Sequence, residues 1–350
     1  MKIDKNELSK KIDKIKSVVP KNSPGSALTG ILVQNGYLIA SNHELTVKAK
    51  LEGTEGEEFI IPSRAFDLIK NLPDGEVSVT EGKGNKITIS MDKIKNTYQS
   101  LPASDFMYSV QRITEEGGNT TVDSKVLKQS ISHVLYAIPN KGSNAIMTSL
   151  YLSASDGKLN FVGLDGHVVA WVQVDYEGDF KLLVPRGAVE KLLSLELEGD
   201  VSIEYDKNSA VFRTDDYEIN TRLVEGSYFK YEPFFKRLPL EIVANRSELL
   251  DAVVRAKLCT EDLCPTRFEI SDKELKLSIT DKSTDYSETL ELAKGIEKKL
   301  IIGFDSRLVL ETIKAHMGEE ITMFFDSGKA PMIVESDIMR SIVLPVTLRE

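Results

Sequence analysis

Cysteine is nearly absent: Cys259 and Cys264 are the only two in 350 residues, and no histidine cluster accompanies them. That excludes a disulfide framework and leaves no ligand set for a structural metal, so the pair reads as structural thiols in a reducing cytoplasm. No apolar run approaches the roughly 20 residues of a membrane span. Met1-Lys2-Ile3-Asp4 opens no signal peptide. A phosphate loop and a nucleophile elbow are missing too, which argues against common nucleotide-binding and acyl-transfer enzymes. Net positive charge is also lacking. The chain carries 44 basic and 54 acidic residues, a formal charge of −10, and acidity on that scale repels a polyanion.

What the chain has is repetition. An apolar triplet at helical spacing occurs as Leu8/Ile12/Ile15, Leu127/Ile131/Val134 and Leu249/Val253/Ala256, with 119 and 122 residues between copies. A second helix-spaced pair follows each time: Phe66/Ile69, Val189/Leu192 and Leu310/Ile313, at intervals of 123 and 121. A period of this length suits a compact domain rather than a solenoid unit. With 41% hydrophobic residues, each copy can bury a core. Three domains are therefore expected, over 1–112, 120–236 and 243–350.

Each copy reads in the same order. An amphipathic opening helix is followed by period-two strands such as Ile31-Leu32-Val33 and Tyr37-Leu38-Ile39, separated by turns such as Gln34-Asn35-Gly36. The second helix is entered through Ile61-Pro62-Ser63, Val184-Pro185-Arg186 or Phe304-Asp305-Ser306, and two more strands close the copy. Asp123, Asn245 and Asp305 stand where N-caps belong. The class is α+β, with helices and antiparallel sheets in separate layers.

Three such domains, together with Leu164-Asp165-Gly166-His167, Leu183-Val184-Pro185-Arg186-Gly187, Leu223-Val224-Glu225-Gly226 and the ending Val343-Leu344-Pro345-Val346, resemble the bacterial DNA polymerase III beta subunits, the sliding clamps. Ser100-Leu101-Pro102-Ala103-Ser104-Asp105-Phe106 is similar to the end of that family's first domain. The likeness covers essentially the whole chain. It implies a processivity factor without catalytic activity or cofactor. Such a protein encircles double-stranded DNA and tethers the polymerase catalytic subunit, the clamp loader and other proteins that carry a clamp-binding peptide.

In the family the helices face a central hole. Six helices about 9 Å apart would enclose a hole only about 7 Å wide, whereas twelve would leave about 24 Å, enough for duplex DNA. The resemblance thus implies a six-domain ring built by a head-to-tail homodimer. Basic residues off the apolar stripes would line it: Lys10, Lys11 and Lys14, then Lys125 and Lys128, then Arg246 and Arg255. Such contacts are independent of DNA sequence and sensitive to salt. Tyr98 and Leu258 occupy apolar seam positions of the family, while Asn96 and Lys257 make the expected seam more polar.

The family's partner peptide, rich in Gln, Leu and Phe, enters a cleft between the second and third domains. Carried over by position, one wall comprises Met147, Leu164, Gly166, His167, Val169 and Phe229. The other comprises Leu263, Leu308, Met332, Val343, Leu344, Pro345 and Val346. Several positions depart from the family pattern. Val168 stands where an arginine is usual, Phe229 where a proline forms the wall, and Thr347 where a basic residue is expected. Those departures suit an accessory or mobile-element clamp serving a dedicated polymerase. A hydrolytic enzyme using His167 with Asp165, or His43 with Glu44, is the distant alternative.

Overall fold

The computed structural model describes residues 1–350 except 22, 24, 109–112, 115–116, 260–264, 281–283 and 349–350. Leu263 and Cys264 therefore lie outside the described residues.

Six α-helices are present among the described residues: α1 (Lys5–Ile15), α2 (Phe66–Lys70), α3 (Ser124–Val134), α4 (Arg186–Ser194), α5 (Arg246–Leu258) and α6 (Ser306–Ala315). Their apolar stripes are the repeated ones. Leu8, Ile12 and Ile15, the matching triplets of α3 and α5, and the pairs of α2, α4 and α6 are all buried. The starts are capped as the composition demands. Asp4 accepts from the amides of Asn6 and Glu7 at 2.9 and 3.0 Å, and Asp123 from those of Lys125 and Val126 at 2.9 and 3.0 Å. Asn245 accepts from Glu248 at 3.0 Å, and Asp305 from Arg307 at 2.8 Å. Each cap satisfies otherwise orphaned amides and contributes about 1 kcal/mol.

The chain packs as two compact units, Met1–Lys128 with Gly187–Leu223, and Gln129–Arg186 with Val224–Glu350. Each unit holds one eight-stranded and one four-stranded antiparallel sheet. In the first unit the large sheet runs Glu58–Pro62, Gly30–Gln34, Tyr37–Ser41, Leu45–Lys50, Tyr217–Arg222, Ser209–Arg213, Asp200–Tyr205, Gly118–Asp123. In the second it runs Phe180–Pro185, Ser149–Ser155, Lys158–Leu164, Val168–Asp175, Met339–Val343, Met332–Ser336, Glu320–Phe325, Leu240–Asn245. Each large sheet thus joins four strands of one repeat to four of the next, so the second repeat contributes to both units. The small sheets order Lys2–Asp4, Glu76–Gly82, Lys86–Met91, Ile94–Gln99 in the first unit and Asp285–Glu291, Glu274–Thr280, Thr266–Ile270, Leu300–Phe304 in the second.

One expectation needs correcting. Each repeat opens with a strand, not with its helix: Lys2–Asp4, Gly118–Asp123 and Leu240–Asn245 run directly into α1, α3 and α5. Gly118-Asn119-Thr120-Thr121 carries no apolar alternation because the strand lies at a sheet edge, with only Val122 buried.

Candidate functional site

In the second unit the strand Val168–Asp175 pairs with Met339–Val343 at the centre of the large sheet, Val168 opposite Val343 and Val169 opposite Ile342. Side chains alternate across a strand, so this register sorts the candidates onto two faces. Leu164, Val169 and Leu344 share one face, since Leu164 pairs with Val169 and Ile342 lies two residues before Leu344. On that face Val169 and Leu344 pack against a cluster of Val162, Trp171, Tyr231, Phe235, Phe324, Ile333 and Ile342. Tyr151 and Tyr228 stack at 4.7 Å beside it, and Phe229 meets Tyr228 edge-on at 6.0 Å with 45% of its surface exposed. Burial pushes the Tyr228 and Tyr231 hydroxyls well above the usual phenol range, so both remain neutral.

Val343 and Met332, which pair with each other, are fully buried on the opposite face together with Val168. A ligand on the aromatic face would touch Val169 and Leu344 but not these two. They support the strand from beneath, a distinction that only the register supplies. Val168, in the arginine's place, is 1% exposed and belongs to the same buried layer.

The turn Asp165–Val168 is built by its own carboxylate. Asp165 Oδ1 accepts the amides of His167 and Val168, both at 2.8 Å. Gly166 takes φ +88°, and a Cβ there would lie 3.5 Å from Met147 Cε, which places Met147 against the turn. The His167 carbonyl accepts the Leu344 amide at 2.9 Å. His167 and Gly166 are exposed, Leu308 and Pro345 half-buried, and Val346 is 37% exposed. Asp165 is thus committed to backbone amides and orients no imidazole. The corresponding turn of the first unit repeats this arrangement, with Asn42 Oδ1 accepting from Glu44 and Leu45 at 3.2 and 2.9 Å and His43 at φ +74°. Among the described residues, neither histidine is held by the carboxylate beside it as a hydrolytic pair requires.

Most of the basic candidates are already engaged. In the first unit Glu196 is forked between Lys10 at 2.6 Å and Lys14 at 3.0 Å. Hydrogen bonds from these two lysines hold its carboxyl down at about 2. Lys11 pairs with Asp216 at 2.9 Å and lies 4.9 Å from the Tyr217 ring centroid. Lys128 donates to the Leu195 carbonyl at 2.5 Å. In the second unit Arg255 grips Glu288 through Nε at 2.9 Å and Nη2 at 2.6 Å, and Arg246 donates to the Gly318 carbonyl at 2.9 Å. Lys125 is exposed. Exposed ion pairs of this kind are worth about 0–1 kcal/mol and are screened by salt, so a phosphate can displace the carboxylate at little cost. The apolar triplets give no hint of Lys191. It is 5% exposed, donates to the Lys14 carbonyl and Ser17 Oγ at 2.7 Å each, and burial depresses its pKa.

Of the two residues expected at a seam, Tyr98 is half-buried on the Ile94–Gln99 strand, which ends its sheet. Leu258, the last residue of α5, is 82% exposed.

The fold so described is that of the DNA clamps, in which paired helices and antiparallel sheets recur along one chain. The family model of the DNA polymerase III beta subunit, central domain, matches residues 121–230. The beta sliding clamp of Chlamydia muridarum is 25% identical over 366 residues, covering 99% of each chain, and that of Pseudomonas aeruginosa is 23% identical over 368, again covering 99% of each. Among solved structures, the Pseudomonas aeruginosa sliding clamp with ligand aligns with a TM-score of 0.90 at 22% identity, covering 99% of both chains. The Thermotoga maritima beta subunit aligns at 0.89 and 20%, with the same coverage. The central-domain match, the full-length relatives and the shared fold together support a divergent sliding clamp of the bacterial DNA polymerase III beta type.

Proposed function

We propose that this sliding clamp works as a homodimeric ring around duplex DNA and holds partners by a short peptide on the aromatic face of its second unit. The three repeats, 1–112, 120–236 and 243–350, would be the ring's domains. The activity is tethering in the cytoplasm, with no catalysis, cofactor or membrane involved. The observation that carries the reading is the apolar face of Leu164, Val169 and Leu344, flanked by exposed Phe229 and Val346 and bordered by the capped Asp165–Val168 turn. Such a surface, mostly apolar with a few fixed polar groups, suits a peptide side chain.

The test is fluorescence-polarisation binding of a labelled Gln-Leu-Ser-Leu-Phe peptide. The expected outcome is micromolar affinity, lost when the peptide Phe becomes Ala and when Pro345 and Val346 both become Ala. A folded protein that ignores the peptide would overturn this specificity. Phe229 favours a second reading, because an exposed ring at the wall changes the shape of the entrance. In that reading the clamp serves a dedicated polymerase whose peptide fits the ring.

A further inference from the structure

We infer that Gly303 and Leu348 form a latch that positions the Leu344–Val346 wall of the partner cleft, an inference that rests on the function proposed above. Beyond Met339–Val343 the chain leaves the sheet and is held at two backbone points. The Leu344 amide donates to the His167 carbonyl and the Val346 amide to the Gly303 carbonyl, each at 2.9 Å. The residue between them is Pro345, which has no amide to satisfy. The second hold covers the outer edge of the Leu300–Phe304 strand, and two residues on Leu348 closes over Gly303. A Cβ on Gly303 would stand 2.7 Å from Leu348 Cδ2, 2.8 Å from its Cγ and 2.9 Å from the Val346 carbonyl oxygen. A Cβ there would force Leu348 aside and press on the Val346 backbone oxygen, so the glycine serves close approach rather than turning.

The preceding repeat provides an internal control. Its Val224 amide donates to the Leu183 carbonyl at 3.0 Å, which aligns Val224 with Val346 and Leu183 with Gly303. The same register sets Gly226 in the place of Leu348. One repeat therefore has leucine on the strand and glycine in the following segment, and the other has the reverse. Where the glycine lies on the strand, the leucine that follows can seat flat and fix the segment between the holds. That segment carries Leu344, Pro345 and Val346. The latch residues themselves lie beyond that segment and act only through it.

The experiment compares Gly303→Ala, Leu348→Ala and the double variant by amide hydrogen exchange at Val346 and by peptide affinity. Gly303→Ala should speed Val346 exchange at least tenfold and weaken the peptide about tenfold. Leu348→Ala, which cannot disturb the strand, should weaken the peptide several-fold. The double variant, which removes the Leu348 contacts but leaves that of the new methyl with the Val346 carbonyl oxygen, should recover only part of the affinity lost in Gly303→Ala. Unchanged Val346 exchange in Gly303→Ala overturns the latch, as does faster exchange with unaltered affinity, or a double variant that sums the two losses. A wild-type protein that binds no peptide overturns the proposed function instead, and the exchange arm then decides the latch separately.

Discussion

At the scale of single residues, the second unit buries a polar network unconnected with the sequence motifs. His316, 1% exposed at the end of α6, contacts Ser336 Oγ through Nδ1 at 2.7 Å and Ser341 Oγ through Nε2 at 3.0 Å. Tyr136 donates to the same Ser341 oxygen at 3.0 Å, and burial pushes its hydroxyl up to about 12. Burial, reinforced by His133 and Arg246, holds the His316 imidazole down at about 3. The unfolded chain takes up this proton near pH 6.5 while the folded one refuses it until about 3. The stability from a neutral His316 is thus complete above pH 6.5 and declines as pH falls through that window, by on the order of 1.4 kcal/mol per unit. Denaturant titrations between about pH 7 and 4 should show this slope, and His316→Asn should flatten it. An unchanged slope in the variant would place the titration elsewhere. None of this is legible in the sequence, because a lone histidine between apolar residues gives no sign of which serines the fold brings to it.

At the scale of elements, two of the strands that end the small sheets carry contrasting charge. Ile94–Gln99 presents nearly all its side chains to solvent, among them Lys95, and follows exposed Lys93. Asp285–Glu291 closes the other small sheet and carries Asp285, Glu288 and Glu291. An open strand edge invites pairing, and a basic edge with an acidic one gives a head-to-tail contact its direction. The resemblance supplied Tyr98 and Leu258 for this seam. The open edges offer a backbone reason to propose the seam there. Tyr98→Glu or Leu258→Glu should yield folded monomers in sedimentation velocity at micromolar concentration, and variants that remain dimeric would move the seam elsewhere.

At the scale of the whole molecule, the question is how a chain of net charge −10 holds DNA. Lys10, Lys11 and Lys14 are drawn into pairs with Glu196 and Asp216, so the acidic partners moderate the proposed lining without abolishing it. Reversing the three lysines to Glu should weaken retention on circular DNA and reduce the salt slope by roughly 0.9 for each phosphate no longer neutralised. Glu196→Gln should act in the opposite direction, freeing Lys10 and Lys14 and tightening retention at low salt. Retention indifferent to both changes across a salt series would remove these helices from the lining.

The sequence by itself determined the threefold repetition, the helices with their buried stripes, the caps at Asp123, Asn245 and Asp305, and the α+β class. All of these depend on neighbours within a few turns or on a period that can be counted. It also suggested the cleft and the basic positions, through resemblance. Only the tertiary structure decided which repeats share a sheet and on which face of that sheet Val169 and Val343 fall. It alone matched the lysines to their carboxylates and set Leu348 over Gly303. Those outcomes depend on registers between segments far apart in the chain, where a slip of one residue exchanges the two faces and local composition leaves no trace.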